Sequence, residues 1–290
     1  MTTFPCTRRR FILHTVGTAA ALQFGAARAL RLNAAEPGCT LIQEQEEGPY
    51  YVDREILRKD ITEGHGGVPL TLRVAIVDVN RCTPLANAAL DVWHCDALGI
   101  YSGYTAFRPG GPGGPGGPPP GDPNGHPDFG AGRPPMGPPP KMAPTDKQIF
   151  LRGVQLTDAN GIAEFTTIYP GCYLGRVNHI HLKVHIAGHD ESGTYSGGHV
   201  AHTGQIFFPE DITKSVIALK PYSQHHIERT TLDEDGVYNG QNGSPAMAQL
   251  AAFNNRSIAD GFAASVTLGV DPNKTPEPVH IFGPPPQRGR

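Results

Sequence analysis

The chain has 290 residues, with 24 Lys and Arg against 27 Asp and Glu, for a formal net charge of −3. So balanced a charge argues against a nucleic-acid partner, which calls for a strongly basic face. The length suits one large domain or two small ones, and most of the excess among the 36 glycines and 29 prolines sits in one segment, leaving the rest free to build a core.

Residues 1–29 have the three regions of an export signal. Thr7-Arg8-Arg9-Arg10-Phe11-Ile12-Leu13 precedes an apolar run of small residues from Thr15 to Phe24, and Ala27-Arg28-Ala29 follows as an A-x-A cleavage pattern. The paired arginines are of the twin-arginine type. The apolar run is shorter than the roughly 20 residues that span a bilayer. The expectation is an exported protein, periplasmic or extracellular, with no stable membrane insertion once the signal is removed. That route carries chains already folded, a first hint of a cofactor loaded before export. Losing Cys6 with the signal leaves Cys39, Cys82, Cys95 and Cys172. An even number permits disulfides in an oxidising compartment. Cys82 and Cys95, near opposite ends of a strand-turn-strand, form the favoured pair, with Cys39 and Cys172 either paired or buried as thiols.

A leader over residues 30–43 runs into a domain expected over residues 44–290. Its first landmark is the turn Glu47-Gly48-Pro49-Tyr50-Tyr51. Leu70 to Val79 alternates apolar with other residues and predicts a strand, as does Ala89 to His94. Pro109 to Gly121 is entirely glycine and proline, and prolines continue to Pro140. Residues 109–140 therefore read as an exposed, mobile insertion, short of side chains to bury and amide donors to pair. Phe150 to Thr157 and Ile162 to Ile168 are strand-like runs joined by a hairpin turn, Asp158-Ala159-Asn160-Gly161. Further strands are expected at His179 to Ile186 and Thr203 to Phe208, and the best helical candidate is the alanine-rich stretch from Pro245 to Asn254. Many short strands between turns predict an all-β fold, a β-sandwich of mixed and antiparallel strands with long loops.

The strand from His179 carries the first chemistry. His179 and His181 are two apart, so an extended backbone sends both imidazoles to one face. Alone, H-x-H is a weak signal, since surface and core histidines are commoner than ligands and the chain has 13. No carboxylate follows at cupin spacing and no H-E-x-x-H occurs, which disfavours the two-histidine, one-carboxylate and zincin sites. Tyr173 follows the turn Pro170-Gly171-Cys172, and Arg176 lies three residues before His179. A phenol ionises unaided only near a pH of about 10, so a tyrosine ligand calls for a strongly Lewis-acidic ion such as Fe(III). A second phenol is then expected, and the segment from Asp91 to Tyr104 offers Tyr101 and Tyr104.

The pattern W-x-x-x-A-x-G-x-Y over Trp93 to Tyr101, then P-G-x-Y over Pro170 to Tyr173 and R-x-x-H-I-H over Arg176 to His181, resembles the iron signature of the intradiol ring-cleavage dioxygenases, the catechol and protocatechuate dioxygenases. The Gly-Pro-Tyr turn and the run from Phe150 to Ile168 extend the resemblance over residues 44–210. It implies one non-haem Fe(III) per chain, with Tyr101, Tyr173, His179 and His181 as ligands. Tyr101 is implied to be the displaceable ligand that also takes a substrate proton. Arg176 is implied to stabilise charge on the substrate, and Gln205 to be the pocket glutamine, at a longer spacing from His181 than in the family. Tyr50 is implied to line the substrate pocket. The reaction implied is cleavage of a catechol-type aromatic by O2 between the two hydroxyl-bearing carbons, giving a muconate-type diacid. The partners implied are a small aromatic diol and O2, and the chain permits a homodimer. The leader is shorter than the helical dimerisation region of the catechol enzymes, which places the chain nearer an exported, single-domain branch. Bland alternatives accompany each residue. Tyr104 competes with Tyr101 and Tyr169 with Tyr173, Trp93 reads as core, and His185, His189, His199 and His202 read as loop or surface histidines, with a secondary metal site as the alternative. The rival functions are a non-enzymatic exported β-sandwich binding module and a zinc-binding protein using H-x-H.

Overall fold

Residues 39–106, 143–254 and 257–279 are described in the computed structural model; the export signal, the leader up to residue 38 and the insertion 109–140 lie outside them. Alternation organises the first sheet. In β1 (Pro69–Asp78) every second residue, Leu70, Leu72, Val74 and Ile76, is buried, the period-2 pattern of a strand with one face on a core. β1 pairs in parallel with β11 (Phe262–Val270), whose Phe262, Ala264, Val266 and Leu268 point the same way. On its other side β1 pairs antiparallel with β5 (Ile162–Ile168) and, at its end, with β2 (Thr83–Pro84). β10 (Gln249–Ala252) completes this sheet against β11.

The second sheet runs β4-β3-β6-β9, all antiparallel: β4 (Arg152–Leu156), β3 (Ala89–Trp93), β6 (His179–Ile186) and β9 (His199–Phe207). Leu90 and Val92 of β3 and Ile180, Leu182 and Val184 of β6 meet the inward residues of the first sheet in one hydrophobic core. The chain is therefore an all-β sandwich. A short ribbon of β7 (His189–Glu191) and β8 (Thr194–Ser196) extends from β6, and the helices α1 (Glu210–Ile217) and α2 (Gly236–Gly240) follow β9. Among the described residues no helix is long and apolar enough to cross a membrane.

The outer face of the second sheet is also covered, which β6 alone would not suggest. His179, His181, Lys183 and His185 lie on that face, yet all are buried. The cover is the segment from Glu44 to Arg58, held by backbone bonds from Gln45 to Thr203, from Leu57 to Gly193 and from Arg58 to Val154. His185 and His202, expected in loops or on the surface, are thus buried strand residues.

Two further expectations are corrected. The disulfide joins Cys39 to Cys82, with Cα atoms 5.3 Å apart, while Cys95 and Cys172 are free and buried. Cys82 sits in the turn after β1, where Cys39 meets it, while Cys95 follows the five extended residues of β3, roughly 17 Å of strand against the roughly 7 Å that a disulfide tolerates. The alanine-rich stretch is a short turn, Ser244–Ala246, followed by β10. There the exposed edge of β11 supplies hydrogen-bond partners, and sheet pairing overrides alanine's helical preference.

Candidate active site

β6 brings its two histidines to one place, as strand geometry requires. On the neighbouring strands Trp93 pairs with His181 and His181 with Gln205. The Trp93 indole lies parallel to the His181 ring, with centroids 5.0 Å apart and planes 4° apart. Trp93 is core, as expected, and is the wall that fixes this imidazole.

The tyrosines arrive on two loops that dock against each other. After β3, the Asp96 carboxylate accepts hydrogen bonds from the Leu98 and Ile100 amides, 2.9 Å each, curling the chain so that Tyr101 turns inward. Gly99 has φ +79°, and a Cβ there would collide with the carbonyl oxygen of Cys172. Reciprocally, a Cβ on Gly171 would collide with the carbonyl oxygen of Asp96. Glycines at these two positions let the loop bearing Tyr101 touch the loop bearing Tyr173 backbone to backbone.

The four expected ligands converge. Ring centroids are 5.8 Å apart for Tyr101 and Tyr173, 5.7 Å for Tyr173 and His179, 6.2 Å for Tyr101 and His181, and 4.6 Å for the two histidines. The Nε2 atoms of His179 and His181 face each other at 3.0 Å. His179 Nδ1 lies 2.6 Å from the Val177 carbonyl oxygen, which can only accept; the ring proton therefore sits on Nδ1, and Nε2 presents a lone pair. Burial, reinforced by Arg176, lowers the His179 pKa to about 3. Burial and then His179 hold His181 well below its ordinary value. Burial also pushes the Tyr101 phenol well above its ordinary value, with Tyr173 adding to it. Tyr173 is raised by burial too, with Arg176 opposing. The Tyr101 hydroxyl is buried without a hydrogen-bond partner among the described residues. Two neutral imidazoles with Nε2 atoms face to face and two buried phenols, one of them unpartnered, suit a hard, strongly Lewis-acidic metal ion.

The competing tyrosines are otherwise engaged. Tyr104 donates its hydroxyl to the Tyr51 carbonyl oxygen at 3.0 Å. Tyr169 lies in the main core, sharing a hydrogen bond of 2.6 Å with Thr213. Tyr50 joins the ligand cluster, stacked on Tyr101 with centroids 4.4 Å apart and edge-on to Tyr173; its hydroxyl is buried and unpartnered.

Arg176 is buried and held on three sides. It donates from Nε to Asp235 Oδ2 at 2.9 Å and from Nη2 to Gln205 Oε1, and its Nη1 lies 3.7 Å from Glu46 Oε1. Burial alone would lower its pKa, but Tyr173, Asp235 and Glu46 outweigh that and raise it. Gln205 in turn donates from Nε2 to the Glu46 carbonyl oxygen at 2.9 Å. Asp235 and Glu46 are the residues that sequence reasoning missed here. Asp235 also caps α2, accepting from the amides of Val237 and Tyr238; the Asp-Gly step before α2 carried that capping signal. Arg152 was missed as well. It donates to the Ser102 hydroxyl and carbonyl and to the Tyr50 carbonyl, at 2.7–2.8 Å, tying the Tyr101 loop to the Tyr50 turn. Its signal was a charged residue inside the otherwise apolar start of a buried strand. A cavity of about 560 Å³ is lined by the covering segment from Glu44 to Gly48, with Lys183 and Thr203; Glu46 also reaches Arg176, but none of the four expected ligands lines it.

No protein-family model and no curated protein matches the sequence. Among the solved structures similar to it are two dioxygenases. An intradiol ring-cleavage dioxygenase from Tetranychus urticae is 31% identical, with a TM-score of 0.63 over 82% of this chain and 98% of that one. A second dioxygenase crystal structure is also 31% identical, with a TM-score of 0.63 over 82% of this chain and 97% of that one.

Proposed function

We propose the reaction from one premise: the chain belongs to the intradiol ring-cleavage dioxygenase family and is a ring-cleaving oxidoreductase of that kind. The proposal is that it uses one Fe(III) to cleave a catechol-type aromatic with O2 between the two hydroxyl-bearing carbons, giving a muconate-type diacid. Tyr101, Tyr173, His179 and His181 would hold the ion. Bound there, Fe(III) supplies Lewis acidity toward both catechol oxygens and an electronic path between substrate and O2. The observation that carries this reading is the convergence of an unpartnered, buried Tyr101 hydroxyl on Tyr173 and on two imidazoles whose Nε2 atoms face each other.

The remaining steps belong to the chain. Tyr101 Oη moves a proton: its buried phenolate would be strongly basic, so it takes the proton of one catechol hydroxyl. Arg176, pinned by Asp235 and Gln205, offers a fixed positive charge where negative charge develops on the substrate. Gln205 has one amide hydrogen engaged with Glu46 and presents the other. Tyr50, stacked on Tyr101 with its hydroxyl buried and unpartnered among the described residues, would contact the bound substrate.

Purified protein is expected to be red-brown from tyrosinate-to-iron charge transfer, and to change colour when catechol is added without oxygen. Tyr173→Phe should remove much of that band. A colourless protein holding stoichiometric zinc overturns the reading, as does an unchanged spectrum in Tyr173→Phe. Oxygen uptake across a panel of catechols, with identification of the diacid, then names substrate and product.

Export through the signal at residues 1–29 belongs to the same proposal. A disulfide at Cys39–Cys82 suits an oxidising compartment. Replacing Arg8 and Arg9 together by lysine should retain the protein in the cytoplasmic fraction; undiminished export would remove this part.

A further inference from the structure

A second cluster of ligating side chains lies further along the same covered sheet face. Asp91 on β3 and His185 on β6 are diagonal neighbours across the strand pair, and Glu55 reaches them from the covering segment. One ligand atom from each lies within 4.8 Å of the other two. All three are at least largely buried: Asp91 and His185 are each 5% exposed. The β6–β9 register shifts between Val184 and His185, an irregularity that re-aims a side chain. The imidazole has nothing to do as it stands. His185 Nε2 is buried without a partner, and Nδ1 lies 3.7 Å from Glu55 Oε1, beyond hydrogen-bond reach.

The local charge does not balance either. Lys183 and Arg152 both act on Asp91, but Lys183 Nζ lies 2.6 Å from Glu47 Oε2 and over the Tyr51 ring, and Arg152 is engaged with Ser102 and Tyr50. The Tyr51 hydroxyl lies between the two carboxylates, 3.3 Å from Glu55 Oε1 and also hydrogen-bonded to Asp91, one proton shared by both. That leaves two carboxylates and an imidazole around one small volume, a donor set that borderline divalent ions favour. We propose that Glu55, Asp91 and His185 form a second cation site, distinct from the tyrosine cluster, that takes a divalent transition ion of the zinc class. The ion ties the covering segment, which carries Tyr50 and Tyr51, to β3 and β6. Its role is to fix the lid of the active site, with no part in the chemistry. The site stands whether or not the tyrosine cluster holds iron.

The test is calorimetric titration of the iron-loaded protein with zinc sulfate, with metal content measured on the dialysed product. The expected result is one zinc per chain taken up with the iron and the visible band retained. His185→Gln and Glu55→Gln should each weaken zinc binding at least tenfold while leaving that band in place. Near-UV circular dichroism and the band itself report folding, and Glu55→Gln, on the covering segment, decides the matter if His185→Gln does not fold. Three outcomes overturn the proposal: no zinc bound by the native protein, equal affinity in the variants, or zinc uptake matched by loss of iron and colour.

Discussion

Tyr101 and Tyr104 are three positions apart in one loop, and only their hydroxyls tell them apart. Tyr104 is spent on the Tyr51 carbonyl, whereas the Tyr101 hydroxyl has no hydrogen-bond partner among the described residues. Tyr101→Phe is therefore expected to shift the visible band and reduce turnover severely, while Tyr104→Phe keeps the band and loses about 1 kcal/mol of stability, the ordinary worth of one hydrogen bond. Arg176→Lys should retain the colour and lower kcat/KM by roughly 10²–10³, the usual effect of losing one oriented donor at a developing charge; steady-state kinetics beside the absorption spectrum separates the two. Asp235 adds a pH signature. Burial alone would raise its pKa, but Arg176 and the amides of Tyr238 and Val177 outweigh this and hold it below the ordinary value. A carboxylate with a depressed folded-state pKa contributes stability that is complete above the unfolded value, near about 4, and is lost as pH falls through the folded one. Urea midpoints between pH 5 and pH 3 should accordingly drop further for the native chain than for Asp235→Asn. At this scale the motifs R-x-x-H-I-H and P-G-x-Y were legible in the sequence. The supports Asp235, Glu46 and Arg152 were not, because each comes from a distant segment that only folding brings near.

Among the elements, the strands with strict alternation were legible almost residue for residue: Ile162–Ile168 and His179–Ile186 were expected with those bounds. β11 alternates just as cleanly but was passed over, and its parallel partner β1 lies nearly two hundred positions earlier, beyond any local pattern. β10 was mistaken for a helix because alanine prefers helices when nothing else competes, and here a sheet edge competes. The two tyrosine loops depend on close backbone approach at Gly99 and Gly171. Gly171→Ala is expected to push them apart, so that the variant folds with a substoichiometric iron content and a weakened visible band. Metal analysis normalised to protein measures this, and full iron occupancy would show that the approach is not required.

For the whole molecule, Cys39–Cys82 clamps the start of the described chain to the turn after β1, with a separation of 43 residues. A loop of that size is worth about 2–4 kcal/mol through restriction of the unfolded chain. Cys39→Ser should lower the melting temperature by roughly 5–10 °C for a chain of this length, with the visible band unchanged, as calorimetry and absorption would record. Cys95→Ser, by contrast, removes a buried thiol beside the tyrosines and should act on the band more than on the melting temperature. The sequence by itself determined the sandwich class, the two-histidine strand, the tyrosine turn and the family resemblance, because period-2 alternation and short motifs are local properties of a chain. Which cysteines join, which tyrosine hydroxyls are left unpartnered among the described residues, what anchors Arg176 and what lies over the polar face of β6 were decided only by tertiary structure. Each of those depends on which distant segments share a surface, and a surface between segments far apart in the chain leaves no period in either one.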